Sequence, residues 1–329
     1  RWAMTRSVLR RLTALAFCGL LAACAVPLAY PAGPTANTPH FLMDWFVARD
    51  GIRMTVRSWK PPEPAKAVIV ALHGFNDYSN FFAEPGAWLA DRGIASYAYD
   101  QRGFGDGVRI GLWAGIEAYA RDLADFTALV RRAHPGVPVY VLGDSMGGAV
   151  ALVAGAGPAE TRPDADGMIL AAPAVWGRAA MTWYERAALW TAAHTIPTFR
   201  LTAQGLDIQP SDNIDMLRAL GRDWRVIKRT RVETIYGLVG LMDRALAVAP
   251  RFSGRPGCLR NRLNGQQPAV HLPAPSNDIV LPVRGTCTGT LAALMKVRVR
   301  LPTTLPPSVP VSLAWDAMTE AGLIRSLMT

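Results

Sequence analysis

Histidine is scarce in this sequence and cysteine scarcer. The 329 residues hold five histidines (His40, His73, His134, His194 and His271) and four cysteines (Cys18, Cys24, Cys258 and Cys287). No histidine follows His271, so the chain beyond it offers no imidazole base. Neither residue type shows metal-ligand spacing, so no metal is expected and no cofactor is called for. Long apolar runs are also missing. The N-terminal run Leu12–Leu21 is too short to span a bilayer as a mature helix. The body of the chain lacks an excess of positive charge. Of the net +10, residues 1–24 contribute four Arg and no acid, residues 251–329 contribute +6, and residues 25–250 balance to zero. No basic face with interleaved aromatics is visible, which argues against nucleic acid as a partner.

What is present begins with a leader. Arg6, Arg10 and Arg11 form a basic n-region, and Leu12–Leu21 forms the h-region of a signal peptide. Leu21-Ala22-Ala23-Cys24 resembles the lipobox of bacterial lipoproteins. That resemblance implies cleavage before Cys24, lipidation of its thiol, and anchoring to the membrane on the periplasmic side. A plain secretory signal cut near Ala23 or Ala25 is the alternative, and both predict export. Residues 1–23 are read as the signal peptide and 24–40, rich in Pro and Ala from 27 onward, as a tether. Cys258 and Cys287 are free to pair, but spacing alone cannot set their geometry.

Half the residues are apolar, enough for one large core or a core with an inserted subdomain. Trp45–Ala48 and Ile52–Trp59 flank Asp50-Gly51, a hairpin signal. Lys66–Leu72, Ala95–Tyr99, Val139–Leu142 and Gly167–Ala172 are apolar strand-length runs, the pattern of strands buried on both faces. Between them, Phe81–Asp91 reads as a helix. Ile116–Ala133 carries apolar residues at helical spacing and ends at His134-Pro135-Gly136, where His134 serves as a cap residue. Asp100 and Arg102 either form a partly buried ion pair or lie in a solvated turn. The alternation predicts an α/β fold with a mostly parallel sheet covered on both faces. Residues 176–248 are helical with bulky apolars and read as a cap, its aromatics packing on the core or lining an acyl pocket. The boundaries that follow are a first core part over 41–175, the cap, and a second core part over 249–329.

The stretch Gly143-Asp144-Ser145-Met146-Gly147 follows a buried strand and opens a small-residue helix. Gly-x-Ser-x-Gly in that context is the signature of a nucleophile elbow. The serine sits on a tight turn, and the helix that follows presents free N–H groups to a developing oxyanion. The His73-Gly74-Phe75 loop after Lys66–Leu72 can aim a second backbone N–H at the same point, with the His73 side chain as a structural turn residue.

Together HGFNDYSNFF, YDQRGFG, GDSMGG and LAAPAV resemble the monoacylglycerol lipase and lysophospholipase branch of the α/β-hydrolases, the serine aminopeptidase domain family. The resemblance covers about residues 40–252 and implies a Ser-Asp-His triad in chain order. It assigns Ser145 as nucleophile, the N–H groups of Phe75 and Met146 as oxyanion donors, and Asp278, in PSNDIVLP, as the acid. Its substrates are acyl-ester lipids. The triad histidine has no counterpart, because none follows Asp278. Residues 253–273 lack the expected buried strand, and LPTTLPPSVPVSLAW stands where the histidine belongs. A shift of reading frame over these stretches would produce that pattern. The sequence therefore supports an esterase, a membrane-tethered relic lacking its base, or an amide hydrolase, with the oligomeric state open.

Overall fold

Apolar runs alternating with helices fold into a nine-stranded sheet. The computed structural model describes residues 29–175, 177–202, 214–251, 256–259 and 279–280. The leader with Cys24, and His271, Asp278 and Cys287, lie outside the described residues; Cys258 is described only as backbone. Strands β1 (His40–Leu42), β2 (Trp45–Val47) and β3 (Arg53–Trp59) form an antiparallel meander. The β2–β3 turn runs through Asp50-Gly51, as the turn chemistry requires, with Gly51 at φ +78°.

The parallel part of the sheet follows. It comprises β4 (Ala67–Leu72), β5 (Ile94–Tyr99), β6 (Val139–Asp144) and β7 (Gly167–Ala171). The connecting helices are α1 (Ala83–Ala90), α2 (Ile116–Ala133) and α3 (Met146–Gly155). Sheet order is β1-β2-β3-β5-β4-β6-β7-β10-β11, where β10 is Pro256–Leu259 and β11 is Ile279–Val280. Every residue of β4 is buried, and its side chains alternate between two cores. Val68, Val70 and Leu72 face the larger core with Tyr119, Leu123 and Phe126 of α2 and Val150 and Val153 of α3. Ala67, Ile69 and Ala71 face the smaller core with Leu89 of α1. That is why the strand reads as an unbroken apolar run. Each fully buried Val, Leu or Ile there contributes roughly 1.5–3 kcal/mol.

Chain direction across the sheet reverses at β4. From β4 the chain crosses by α1 to β5 on one side, then returns by α2 to β6 on the other. The carboxyl ends of β4 and β6 therefore flank a topological switch point, the place where open parallel sheets bind ligands.

Several expectations are revised. The helix expected over Phe81–Asp91 is a 3-10 turn, Ser79–Phe82, running into the shorter α1; Gly86 of α1 lies against the Trp59 ring. The described part of the tether is not free of the body. Tyr30 is buried, and Gly33 and Asn37 donate backbone N–H groups to Asp50 Oδ2 at 3.0 Å and Arg49 O at 2.8 Å. Asp100 and Arg102 are both buried and both ion-paired, but not to each other. Arg102 holds Asp50 and Asp122, each at 2.5 Å, and Asp100 holds Arg57 at 3.2 Å. Two carboxylates thus share the single Arg102 guanidinium.

The cap region contains α4 (Trp183–Thr195), β8 (Arg200–Thr202), α5 (Ile214–Arg222) and β9 (Arg229–Arg231), followed by α6 (Val232–Val248). The short β8–β9 pair was not expected, because its strands are basic rather than apolar. Helix α6 belongs to the main body: its Leu238, Leu241 and Ala245 join the larger core. By contrast Trp183 is 79 % exposed and Trp224 71 %, so these aromatics do not pack on the core. Ala193 is the one buried residue of α4, whose tertiary neighbour is α6. Within 253–273, the backbone of β10 pairs in parallel with β7, Gly257 opposite Ile169, so a strand stands where the sequence suggested none. Its composition, Pro-Gly-Cys-Leu, hides it. No helix among the described residues is long and apolar enough to cross a membrane.

Candidate active site

Ser145 follows directly on β6, at φ +49° and ψ −109°. A non-glycine residue rarely adopts positive φ, and the strain of such a site is held by its surroundings. Here the surroundings are backbone. Ser145 N–H donates to Ala171 O at the end of β7 (2.9 Å), and Ser145 O accepts from Ala149 N–H (3.1 Å) and Ala174 N–H (2.9 Å). A Cβ on Gly143 would stand 2.5 Å from Gly147 O, so the motif glycine lets α3 turn back sharply over β6. Met146, buried, is the first residue of α3, and its N–H has no intrahelical acceptor.

The loop after β4 crosses beside this turn. A Cβ built on Gly74 would stand 3.5 Å from Ser145 Cβ and 3.0 Å from Asp144 Oδ2. Phe75 N–H has no backbone acceptor among the described residues. The structure thus brings Ser145, Met146 and the Gly74–Phe75 peptide to one place.

His73 fixes that peptide. Its ring is fully buried, edge-on to Phe104 at 5.5 Å. Nε2 accepts the Gln101 backbone N–H at 2.9 Å, which leaves Nδ1–H to donate to Gly74 O at 2.8 Å. The Gln101 side-chain amide donates in turn to His73 O at 2.9 Å. Burial pushes the imidazole pKa down, so the ring is neutral. A trans peptide is planar, so holding the Gly74 carbonyl also aims the Phe75 N–H in the opposite direction. Both ring nitrogens serve the backbone, and His73 is not available as a base for Ser145.

The other described histidines are engaged elsewhere. His134 caps α2 and its Nε2 lies 2.8 Å from Tyr97 OH; burial, and then Lys60, lowers its pKa. His194 Nδ1 sits 2.6 Å from Trp190 O, with the ring stacked on that indole, and His40 Nδ1 lies 2.9 Å from Thr38 O.

Two carboxyls lie by the Gly74 peptide: Asp144, next to Ser145, and Asp77, whose N–H donates to Gly74 O at 3.4 Å. Burial, with the Asp77 carboxylate as a second cause, pushes Asp144 up to about 7. Burial also raises Asp77, against the Tyr78 N–H that donates to its carboxylate at 2.8 Å. Both groups favour the neutral form more than an ordinary aspartate does. Among the described residues no group of three or more His, Cys, Asp or Glu could hold a metal ion.

Sequence reading missed Asn76, Gln101 and Thr230. Asn76 has φ +65°; its carbonyl accepts Ile227 N–H at 2.9 Å and its side-chain amide donates to Thr230 Oγ1 at 2.7 Å. The Asn76 position in HGFN is a signal in hindsight, since Asn tolerates positive φ. Nothing local marks Gln101 or Thr230.

Comparison with known proteins places this geometry. Residues 63–258, more than half the chain, match the family described as serine aminopeptidase, S33. Rat monoglyceride lipase is 32 % identical over 141 residues, 42 % of this chain and 45 % of that protein. The monoacylglycerol lipase of Mycolicibacterium smegmatis is 29 % identical over 133 residues, 40 % of this chain and 46 % of that protein. The matched region spans just under half the length of these relatives. Among solved structures, a lipase in its open form superposes with a TM-score of 0.53 at 20 % identity, covering 66 % of this chain and 78 % of that one. A soluble variant of the Saccharomyces cerevisiae monoglyceride lipase gives 0.52 at 18 % identity, covering 71 % and 79 %. At those identities the likeness is one of fold. The sheet, the elbow and the family match together make the chain a member of the serine aminopeptidase S33 family, with the α/β-hydrolase fold.

Proposed function

We propose that this protein is a serine hydrolase that cleaves carboxylic esters of acyl lipids, of the monoacylglycerol or lysophospholipid class, through an acyl-enzyme on Ser145. The observation that carries the reading is Ser145 at positive φ beside the Gly74–Phe75 peptide. The relatives' printed names, monoglyceride and monoacylglycerol lipase, support the substrate class. In this reading Ser145 Oγ attacks the ester carbonyl carbon and passes its proton to a base. The N–H groups of Phe75 and Met146 hold the oxyanion, each donor worth about 10²–10³ in rate. The tetrahedral intermediate expels the alcohol, and water then releases the fatty acid. Asp278 orients the base, and a lipidated Cys24 holds the enzyme at the membrane where its substrates lie; both residues are outside the described ones.

The engagement of His73, His134, His194 and His40 elsewhere favours a second reading, in which the chain keeps the pocket without an activating base. Loss of the histidine costs on the order of 10⁶ in kcat in a serine hydrolase. Resequencing decides whether 253–273 and 301–329 are in frame: one uninterrupted frame ends the frameshift idea.

The test is a fluorophosphonate probe on the full chain. Labelling that disappears in Ser145→Ala supports the hydrolase. Folded protein that takes no label supports the relic. Turnover of short-chain esters but not aminoacyl amides separates the ester reading from an amide one.

A further inference from the structure

The loop that carries the Phe75 N–H is tied to the base of the cap by side chains more than a hundred residues away. Asn76 is clamped twice, by Ile227 N–H on its carbonyl and by Thr230 Oγ1 on its amide. Two residues on, Tyr78 OH donates to Asp223 Oδ2 at 2.5 Å. Two guanidinium groups lie near the Tyr78 ring, Arg57 at 5.0 Å and Arg225 at 5.9 Å from its centre. Those two arginines meet again on Asp106, Arg225 Nε at 2.7 Å and Arg57 Nη2 at 3.2 Å. Tyr78 and Thr230 are buried, while their partners Asp223 and Asn76 are partly exposed.

Burial and the Asp223 hydrogen bond together push the Tyr78 hydroxyl up to about 12, so Tyr78 remains a donor throughout the neutral range. Asn76 holds a positive φ that costs about 1–2 kcal/mol in an ordinary residue, and less where a short amide side chain bonds locally. Its amide bonds the cap instead. The Asn76 side-chain oxygen is buried and has no hydrogen-bond partner among the described residues. Such an arrangement persists only while neighbouring contacts over-determine it.

We propose that Asn76 and Thr230 are positioning residues that couple seating of the cap base, residues 223–231, to the direction of the Phe75 N–H. When the cap base lifts, Asn76 loses both partners and the loop relaxes. When it seats, the donor is aimed. An acyl substrate that holds the cap down thereby completes its own oxyanion site. The catalytic consequence rests on the reading of Phe75 as an oxyanion donor; the coupling itself does not.

The test combines hydrogen exchange with labelling kinetics on the full chain. In Thr230→Val, amides of residues 73–80 should exchange about tenfold faster, with α2 unchanged. Asn76→Gly keeps the positive φ but loses the amide bond, and should do the same. Thr230→Ser should restore slow exchange. Where the wild type takes the fluorophosphonate, Thr230→Val should lower the maximal labelling rate about tenfold with little change in half-saturating probe, and Thr230→Ser should recover it. Unchanged exchange at 73–80 in both Thr230→Val and Asn76→Gly overturns the coupling, whatever the activity. Faster exchange with an unchanged labelling rate overturns the positioning role. Faster exchange in a chain whose wild type takes no label supports the coupling and removes only the hydrolase reading.

Discussion

The two turns at the switch point do neighbouring jobs by different means. The elbow after β6 is held by backbone and by the absence of side chains: three hydrogen bonds at Ser145, and Gly143 under Gly147 O. The loop after β4 is held by side chains from elsewhere, namely the His73 ring, Gln101 from the β5 loop, and Thr230 from the cap base. A turn fixed by its own backbone is rigid wherever the cap lies. A turn fixed by distant side chains inherits the motion of whatever carries them. The Ser145 turn is therefore fixed independently of the cap, whereas the Gly74–Phe75 loop, on our proposal, is conditional on it.

Substitutions can break that contrast, and the largest effects are expected at Gly143 of the elbow and at His73 of the loop. Gly143→Ala places a methyl 2.5 Å from Gly147 O, and should cost about 1–3 kcal/mol in urea unfolding together with loss of labelling. A full-strength label in Gly143→Ala would mean that the elbow is softer than its backbone suggests. His73→Ala leaves the buried Gln101 N–H without its partner and Gly74 O with only the long Asp77 N–H bond at 3.4 Å. It should cost about 3 kcal/mol and slow labelling even in protein that remains folded. Thr230→Val removes one hydrogen bond and should cost only about 1 kcal/mol by urea unfolding, so its effect on residues 73–80 measures coupling rather than collapse.

A separate effect is the dependence on pH. Asp144 titrates near 7 in the folded chain, raised first by burial and then by Asp77, against the ordinary 3.8. Between those values the folded state binds more protons than the unfolded state, so this group's contribution to stability is full below about pH 4 and lost as pH rises through about 7. Asp144→Asn removes that loss. Its melting temperature relative to wild type should climb from pH 4 to 7 and then level off. A difference that stays flat across this range would show that Asp144 is solvated like a surface acid.

How far the sequence revealed this follows from the same contrast. The elbow was legible because each of its requirements is local: an apolar strand, glycines at fixed offsets and small residues opening a helix. The two-faced burial of β4 was legible for the same reason, since Ala67–Leu72 contains no polar residue. The ties of the loop were not, because Asn76 and Thr230 are 154 positions apart and neither has a local pattern. Arg102 illustrates the failure most clearly. Its neighbour Asp100 was the obvious partner, yet Asp50 and Asp122 hold it, brought there by the β2–β3 turn and α2. Proximity in sequence says little about pairing when a loop folds between elements. Strand β10 escaped because its pairing with β7 is a matter of backbone, which Pro-Gly-Cys-Leu does not advertise.

The most direct measurement is the site of fluorophosphonate attachment, read by mass spectrometry of digested full-length protein. A reactive elbow predicts an adduct on the peptide containing Ser145, absent from Ser145→Ala and from heat-denatured chain. Folded protein without an adduct, or with one on another residue, would contradict it.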